Sequence, residues 1–126
     1  MNIPKNEKQF FFSKEGEITG HKYEGQFSVK CILSLADKRA VEIEQSRISV
    51  DLQNPTGNLQ AISKIIANLR VRVISAPDWF NQAVGSLEIL DDDVIFEVYS
   101  ECLNKTKEWQ DELKEKAQPQ LKVEGN

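Results

Sequence analysis

From Tyr23 to Leu33 the chain alternates apolar and polar residues, and this pattern restricts the fold more than any other stretch. Tyr23, Phe27, Val29, Cys31 and Leu33 hold alternate positions, with Glu24, Gln26, Ser28, Lys30 and Ile32 between them. Only Gly25 breaks the apolar series and only Ile32 the polar one. Successive side chains of a strand point to opposite faces, so the spacing predicts one buried and one wet face, as in an antiparallel sheet. Gly25 marks a bulge or a close backbone approach. The natural partner lies upstream at Phe10–Lys14, where three consecutive phenylalanines suit a strand under a covering element. Ser13–Lys22, with Gly16 and Gly20 among charges, reads as the connecting loop.

Helical spacing takes over after the strand. Ser34 with Asp37 forms a short-armed capping box. Leu35, Val41, Ile48 and Leu52 then fall near one face, predicting a helix from Ala36 to about Asp51. Ile48, Val50 and Leu52 also alternate like a strand, but no turn residue interrupts the helical period. Asn54-Pro55-Thr56-Gly57 ends this element. Asn58 or Thr56 is placed to cap a second helix, whose stripe is Leu59, Ile62, Ile66, Leu69 and Val73, widened by Ile65. The residue before Pro77 resists helical dihedrals, so this helix should finish by Ser75. Pro77-Asp78-Trp79-Phe80 reads as a turn and a short helical segment ending near Gly85. Its aromatic pair has two readings, a plug between the flanking helices or an anchor for a partner. A third main helix begins after Asp91-Asp92-Asp93, with one aspartate as cap and the others complementing the positive helix end. Ile95, Val98, Tyr99, Cys102, Trp109 and Leu113 give its stripe. The stripe thins over Asn104–Lys107, so the C-terminal half of this helix should project past the core.

These elements make an α+β fold, an N-terminal antiparallel β-hairpin packed on three main α-helices, with a long C-terminal helix and a polar tail. The chain of 126 residues fits one domain, able to build a core without staples. We expect a mobile arm over 1–8, a single domain over 9–116 and a disordered tail over 117–126. The start, MNIPKNEKQ, has no basic-then-apolar leader, and no run is long enough to span a bilayer, so the expected setting is a reducing cytoplasm with no membrane partner. Sixteen basic residues are interleaved with twenty acidic ones, a poor composition for gathering phosphates, so no nucleic-acid partner is expected.

Catalytic and cofactor chemistry lacks its usual signatures. His21 is the single histidine and has no ligand at metal spacing, and the acidic triplet has no calcium-loop spacing. No glycine-flanked serine, dinucleotide fingerprint or P-loop occurs. Cys31 and Cys102 sit in apolar periodic patterns, where a free cysteine packs as a small hydrophobe. The expectation is a non-enzyme with no catalytic, cofactor-binding or metal-binding residues.

Several segments, in order, resemble a family of small tailed-bacteriophage proteins described as tail assembly chaperones or small virion structural proteins. Gly20, Tyr23, Gly25, Phe27, Val29 and Lys30 match a G-x-x-Y-x-G-x-F-x-V-K strand. The likeness resumes at Leu69-Arg70-Val71-Arg72-Val73-Ile74 with Ala76-Pro77-Asp78-Trp79-Phe80, and at Leu90-Asp91-Asp92-Asp93-Val94 through Tyr99, covering most of Gly20–Trp109. Phe80 stands where the family commonly has a second tryptophan. The resemblance implies a phage tail assembly chaperone in the cytoplasm of the infected host, binding the tape measure protein and aiding assembly of the tail tube; a homo-oligomer is compatible with this. Trp79, Phe80, Tyr99 and Trp109 are the candidate partner-binding residues. The alternative within the resemblance is a structural component of the mature virion, such as a head-decoration, connector or tail protein. A host-directed regulator is a third class.

Overall fold

Phe10 and Phe12 share one face of the first strand and Phe11 takes the other, which decides where the helices must lie. The computed structural model describes residues 3–117. Strand β1 (Lys8–Glu15) pairs antiparallel with β2 (Lys22–Val29), setting Phe10 opposite Phe27 and Phe12 opposite Gly25. Phe10, Phe12, Phe27 and Val29 are buried on the inner face, while Phe11 faces out. Helices α1 (Leu35–Asp51), α2 (Asn58–Arg72), α3 (Asp78–Ser86) and α4 (Asp92–Ala117) complete the fold with a third strand, β3 (Val73–Ser75). The class is α+β, and the sheet order is β1-β2-β3.

The expected hairpin is present and gains a third strand. Val73–Ser75, expected as the end of a helix, pairs antiparallel with β2. β-Branched Val73 and Ile74 lose rotamer freedom in a helix, and the open edge of β2 offers them hydrogen bonds instead. The alternation that ran to Leu33 yields a strand only to Val29. Beyond it, the Lys30 N–H donates to the Arg72 carbonyl at 2.9 Å, and Cys31 stays buried outside the ladder. Gly25 is a close-approach position. Its φ is +154°, and a Cβ there would lie 2.1 Å from Pro77 Cγ.

Ser34 and Asp37 form the capping box of α1: the Asp37 N–H donates to Ser34 Oγ at 3.1 Å and the Ser34 N–H to Asp37 Oδ2 at 3.0 Å. Ile48 to Asp51 is helical, with Ile48 fully buried and Val50 exposed. Helix α2 starts at Gly57, φ +62°, with no side-chain cap, so neither Thr56 nor Asn58 fills that role. Its inner face is Ile66, Ala67 and Leu69, flanked by Ile62 and Ile65. Leu59, the first member of the predicted stripe, is 46% exposed because the first turn of α2 overhangs the body. Leu87 closes α3 in the left-handed region, φ +63°, its N–H donating to Ala83 O at 3.0 Å.

Two expectations about the termini change. Helix α4 runs 26 residues, about 39 Å, but its C-terminal half is docked and does not project. Trp109 is 8% exposed, and its indole N–H donates to the Pro4 carbonyl at 3.2 Å. Where the apolar stripe thins, Thr106 donates to the Cys31 carbonyl, replacing apolar packing by a hydrogen bond. The segment expected as a mobile arm is what the helix docks on. Pro4 is buried, and Asn6 exchanges two hydrogen bonds with Ile32, at 2.9 and 2.8 Å. Lys8 belongs to β1 and bonds Glu112. The tail over 118–126 lies outside the described residues.

The contact between Gly25 and Pro77 gives a direct test. Gly25→Ala must displace the proline that starts α3, and should destabilise the protein by about 1–3 kcal/mol in urea unfolding monitored by circular dichroism. An unchanged midpoint would mean that the two backbones are not held together.

Candidate functional site

Asp91 fixes the geometry around the aromatic pair. It sits between α3 and α4, and its carboxylate is turned into the β1–β2 loop. Oδ1 accepts the Ile18 N–H at 2.8 Å and the Thr19 N–H at 2.9 Å. Oδ2 accepts the Tyr23 hydroxyl at 2.8 Å and the Thr19 hydroxyl. The loop can close on the carboxylate because residue 16 has no side chain: a Cβ on Gly16 would lie 2.2 Å from the Asp91 carboxyl carbon. Burial pushes the Asp91 pKa up, but the hydroxyl and N–H of Thr19, with Tyr23 and Ile18, outweigh it and hold the group at about 2. The Tyr23 phenol is pushed up in return, first by burial and then by its bond to Asp91.

This revises the reading of the acidic triplet. The Asp91 carboxylate clasps a loop instead of capping α4, while its carbonyl accepts the Val94 N–H at 3.1 Å. Asp92 and Asp93 do occupy the first turn of α4, where the helix dipole favours them. Asp93 also reaches the loop, accepting the Glu17 N–H at 3.2 Å and lying 3.7 Å from Lys14 Nζ.

Trp79 and Phe80 follow Asp78 in the first turn of α3, after Pro77, whose φ of −62° suits the position before a helix. Phe80 is a core residue, 5.0 Å from Phe27 and edge-on to it. Trp79 lies 5.1 Å from Tyr23 and 5.9 Å from both Phe12 and Phe27, with its indole N–H donating to Glu24 O at 2.9 Å. The pair joins α3 to the sheet, where the expectation was a plug between the flanking helices, and Phe80 is not available to a partner. Trp79 keeps one half-buried side on a cleft of about 350 Å³, shared with Thr19, Tyr23, Gln82, Ile89 and Leu90.

The other two candidates lie elsewhere. Trp109 is seventeen residues past Asp92, about 26 Å along α4, and is covered by the N-terminal segment. Tyr99 packs half-buried at the edge of the core. The four predicted residues thus form no single patch. The exposed apolar groups near Tyr99 escaped the sequence reading. Phe96 is 42% exposed and Leu103 46%, and with Tyr99 they stand at i, i+3 and i+7 on one face of α4. That spacing was available in the sequence, but the buried series Val94, Ile95, Val98 and Cys102 is denser and masks it.

Both cysteines are free and buried. Burial pushes both thiols up, Cys102 to about 12, so neither is a thiolate nucleophile at neutral pH. Among the described residues no group of three or more histidine, cysteine and acidic side chains is placed to hold a metal, and no helix is long and apolar enough to cross a membrane. Comparison with protein-family models, curated proteins and solved structures returns no match.

The clasp predicts an acid-sensitive fold. The folded pKa of Asp91, about 2, lies below the value of about 3.9 for an unfolded aspartate. Its stabilisation is therefore complete above about pH 4 and is lost as pH falls toward 2. Asp37, lowered mainly by its hydrogen bond from Lys30, acts in the same direction. Urea midpoints measured across this acidic window should fall steeply for the wild type. Asp91→Asn should be less stable at neutral pH and show a flatter acid limb; parallel limbs would show that Asp91 does not carry the effect.

Proposed function

We propose that this chain is a non-enzymatic assembly protein of a tailed bacteriophage, a tail assembly chaperone that binds an apolar helix face of the tape measure protein in the host cytoplasm. The single observation that carries the binding site is the stripe Phe96, Tyr99 and Leu103 on the outer side of α4. Exposed apolar side chains at i, i+3 and i+7 match the way one helix lies along another or in a groove. Glu97 and Lys107 flank the stripe with charges of both signs. Support for the phage assignment comes from the resemblance of Gly20–Lys30, Leu69–Phe80 and Leu90–Tyr99 to the small tail proteins. The aromatic pair has a supporting role in this reading: Trp79 and Phe80 hold α3 on the sheet.

Co-expression with fragments of the tape measure protein tests the proposal. The wild type should keep at least one fragment soluble and co-purify with it. Phe96→Ser with Leu103→Ser should weaken that association by about 10-fold or more while leaving the circular dichroism spectrum unchanged, since both residues are on the surface. If no fragment gains solubility and none co-purifies, the chaperone reading fails. Mass spectrometry of purified virions separates the alternative, because a structural component stays in the particle and a chaperone leaves it.

A further inference from the structure

Arg72 is a buried cation in an acidic protein, and its bonds leave one end of it unused. It is 7% exposed. Nε donates to Asn68 Oδ1 at 2.9 Å, and Nη1 donates to Thr106 Oγ1 at 2.9 Å and to the Cys31 carbonyl at 3.2 Å. Nη2 takes part in none of these bonds. Among the described residues it is also not one of the fully sealed side-chain atoms without a hydrogen-bond partner, a class that holds only Asp93 Oδ1. Nη2 therefore keeps some contact with solvent, and Arg72 is one of the residues that line a neighbouring cavity. That cavity, of about 330 Å³, lies between the β2–α1 link, α1 and α2, and is bounded by Ile32, Leu33, Lys38, Val41, Asn68 and Arg72.

The orientation of Asn68 follows from its neighbour. An arginine Nε–H can only donate, so the amide oxygen must face it and the amide NH2 group must turn away. Arg72 and Asn68 both line the cavity, with the exposed Lys38 beside them and no acidic side chain among the lining residues. The adjacent acid, Asp37, is already engaged by Lys30 at 2.8 Å and by the N–H of Ser34. The remaining wall, Ile32, Leu33 and Val41, is aliphatic. Arginine beside a carboxamide suits the planar, two-oxygen geometry of a carboxylate. An inorganic anion such as sulfate would leave the aliphatic wall without a partner.

We propose that this cavity is a binding site for a carboxylate carrying a short aliphatic group, supplied either by a free aliphatic acid or by the C-terminal residue of a peptide. The site uses the β2–α1 link, α1 and α2 and none of the outer stripe of α4, so it stands or falls independently of the chaperone reading. The probes are hexanoate, hexanamide, and an acetylated peptide ending in leucine as the free acid or the amide. Binding is read by NMR shifts of the Asn68 side-chain NH2 and the Arg72 guanidinium. Hexanoate or the free-acid peptide should saturate these shifts, and both amides should not. Tighter binding of the peptide by about 10-fold or more assigns the site to a chain terminus, whereas equal binding assigns it to free acids. Lys38→Glu should weaken binding by about 5-fold or more, and Val41→Phe, which takes up the space of the cavity, should abolish it. The proposal is overturned if neither acid saturates, if acid and amide bind alike, or if Val41→Phe binds as the wild type does.

Discussion

One buried carboxylate connects parts of this chain that are about seventy residues apart. Asp91 closes the α3–α4 link and accepts four hydrogen bonds from the β1–β2 loop and the start of β2. A carboxylate removed from water is costly unless its lone pairs are filled, and here both oxygens are. The loop has backbone bonds of its own, from the Gly16 N–H to the His21 carbonyl and from the Gly20 N–H to the Gly16 carbonyl, but its apolar residue Ile18 is exposed and adds no burial. The helix start alone would present a concentrated acidic triplet. Each resolves the strain of the other. Once the loop is fixed, Tyr23 is fixed by its hydroxyl, and Tyr23 in turn supports one side of Trp79.

Arg72 does the corresponding work at the far side of the sheet. It ends α2 where β3 begins, and it reaches the end of β2 through the Cys31 carbonyl and α4 through Thr106. From Asp91 to Thr106 is fifteen residues of α4, about 22 Å. The long helix is thus pinned by a polar group at each end of that span, and Val94, Ile95, Val98 and Cys102 fill the interval with apolar packing. The two anchors also share a design. Each is a charged group surrounded by neutral partners, so neither depends on a surface ion pair that salt would screen.

Short-range periodicity made much of this fold legible in advance. The β2 alternation, the capping box at Ser34 and Asp37, and the inner faces of α2 and α4 all follow from spacing. The sequence was silent where a long-range partner decides. Val73 and Ile74 continue a helical stripe, and only the open edge of β2 makes them a strand. Asp91 looks like any helix-starting acid until the loop from Gly16 to Thr19 is brought against it. Arg72 occupies a place in the apolar run of α2, three residues after Leu69, and its burial becomes explicable only beside Thr106 and Cys31. Periodicity alone places Trp109 past the core because its cover, Pro4, is more than a hundred residues away in sequence.

The internal use of aromatic residues also narrows where a partner can bind. Phe10, Phe12, Phe27, Trp79 and Phe80 form one connected set of rings, so removing any of them for contact with another protein would open the core. A partner surface must draw on side chains the fold leaves outside. On α4 these are Phe96 and Leu103, with the outer edge of Tyr99, and the helix carrying them is held rigid by Asp91 and Thr106. A rigid helix face loses little conformational freedom when a second helix is laid on it, so even a short apolar stripe can hold a partner.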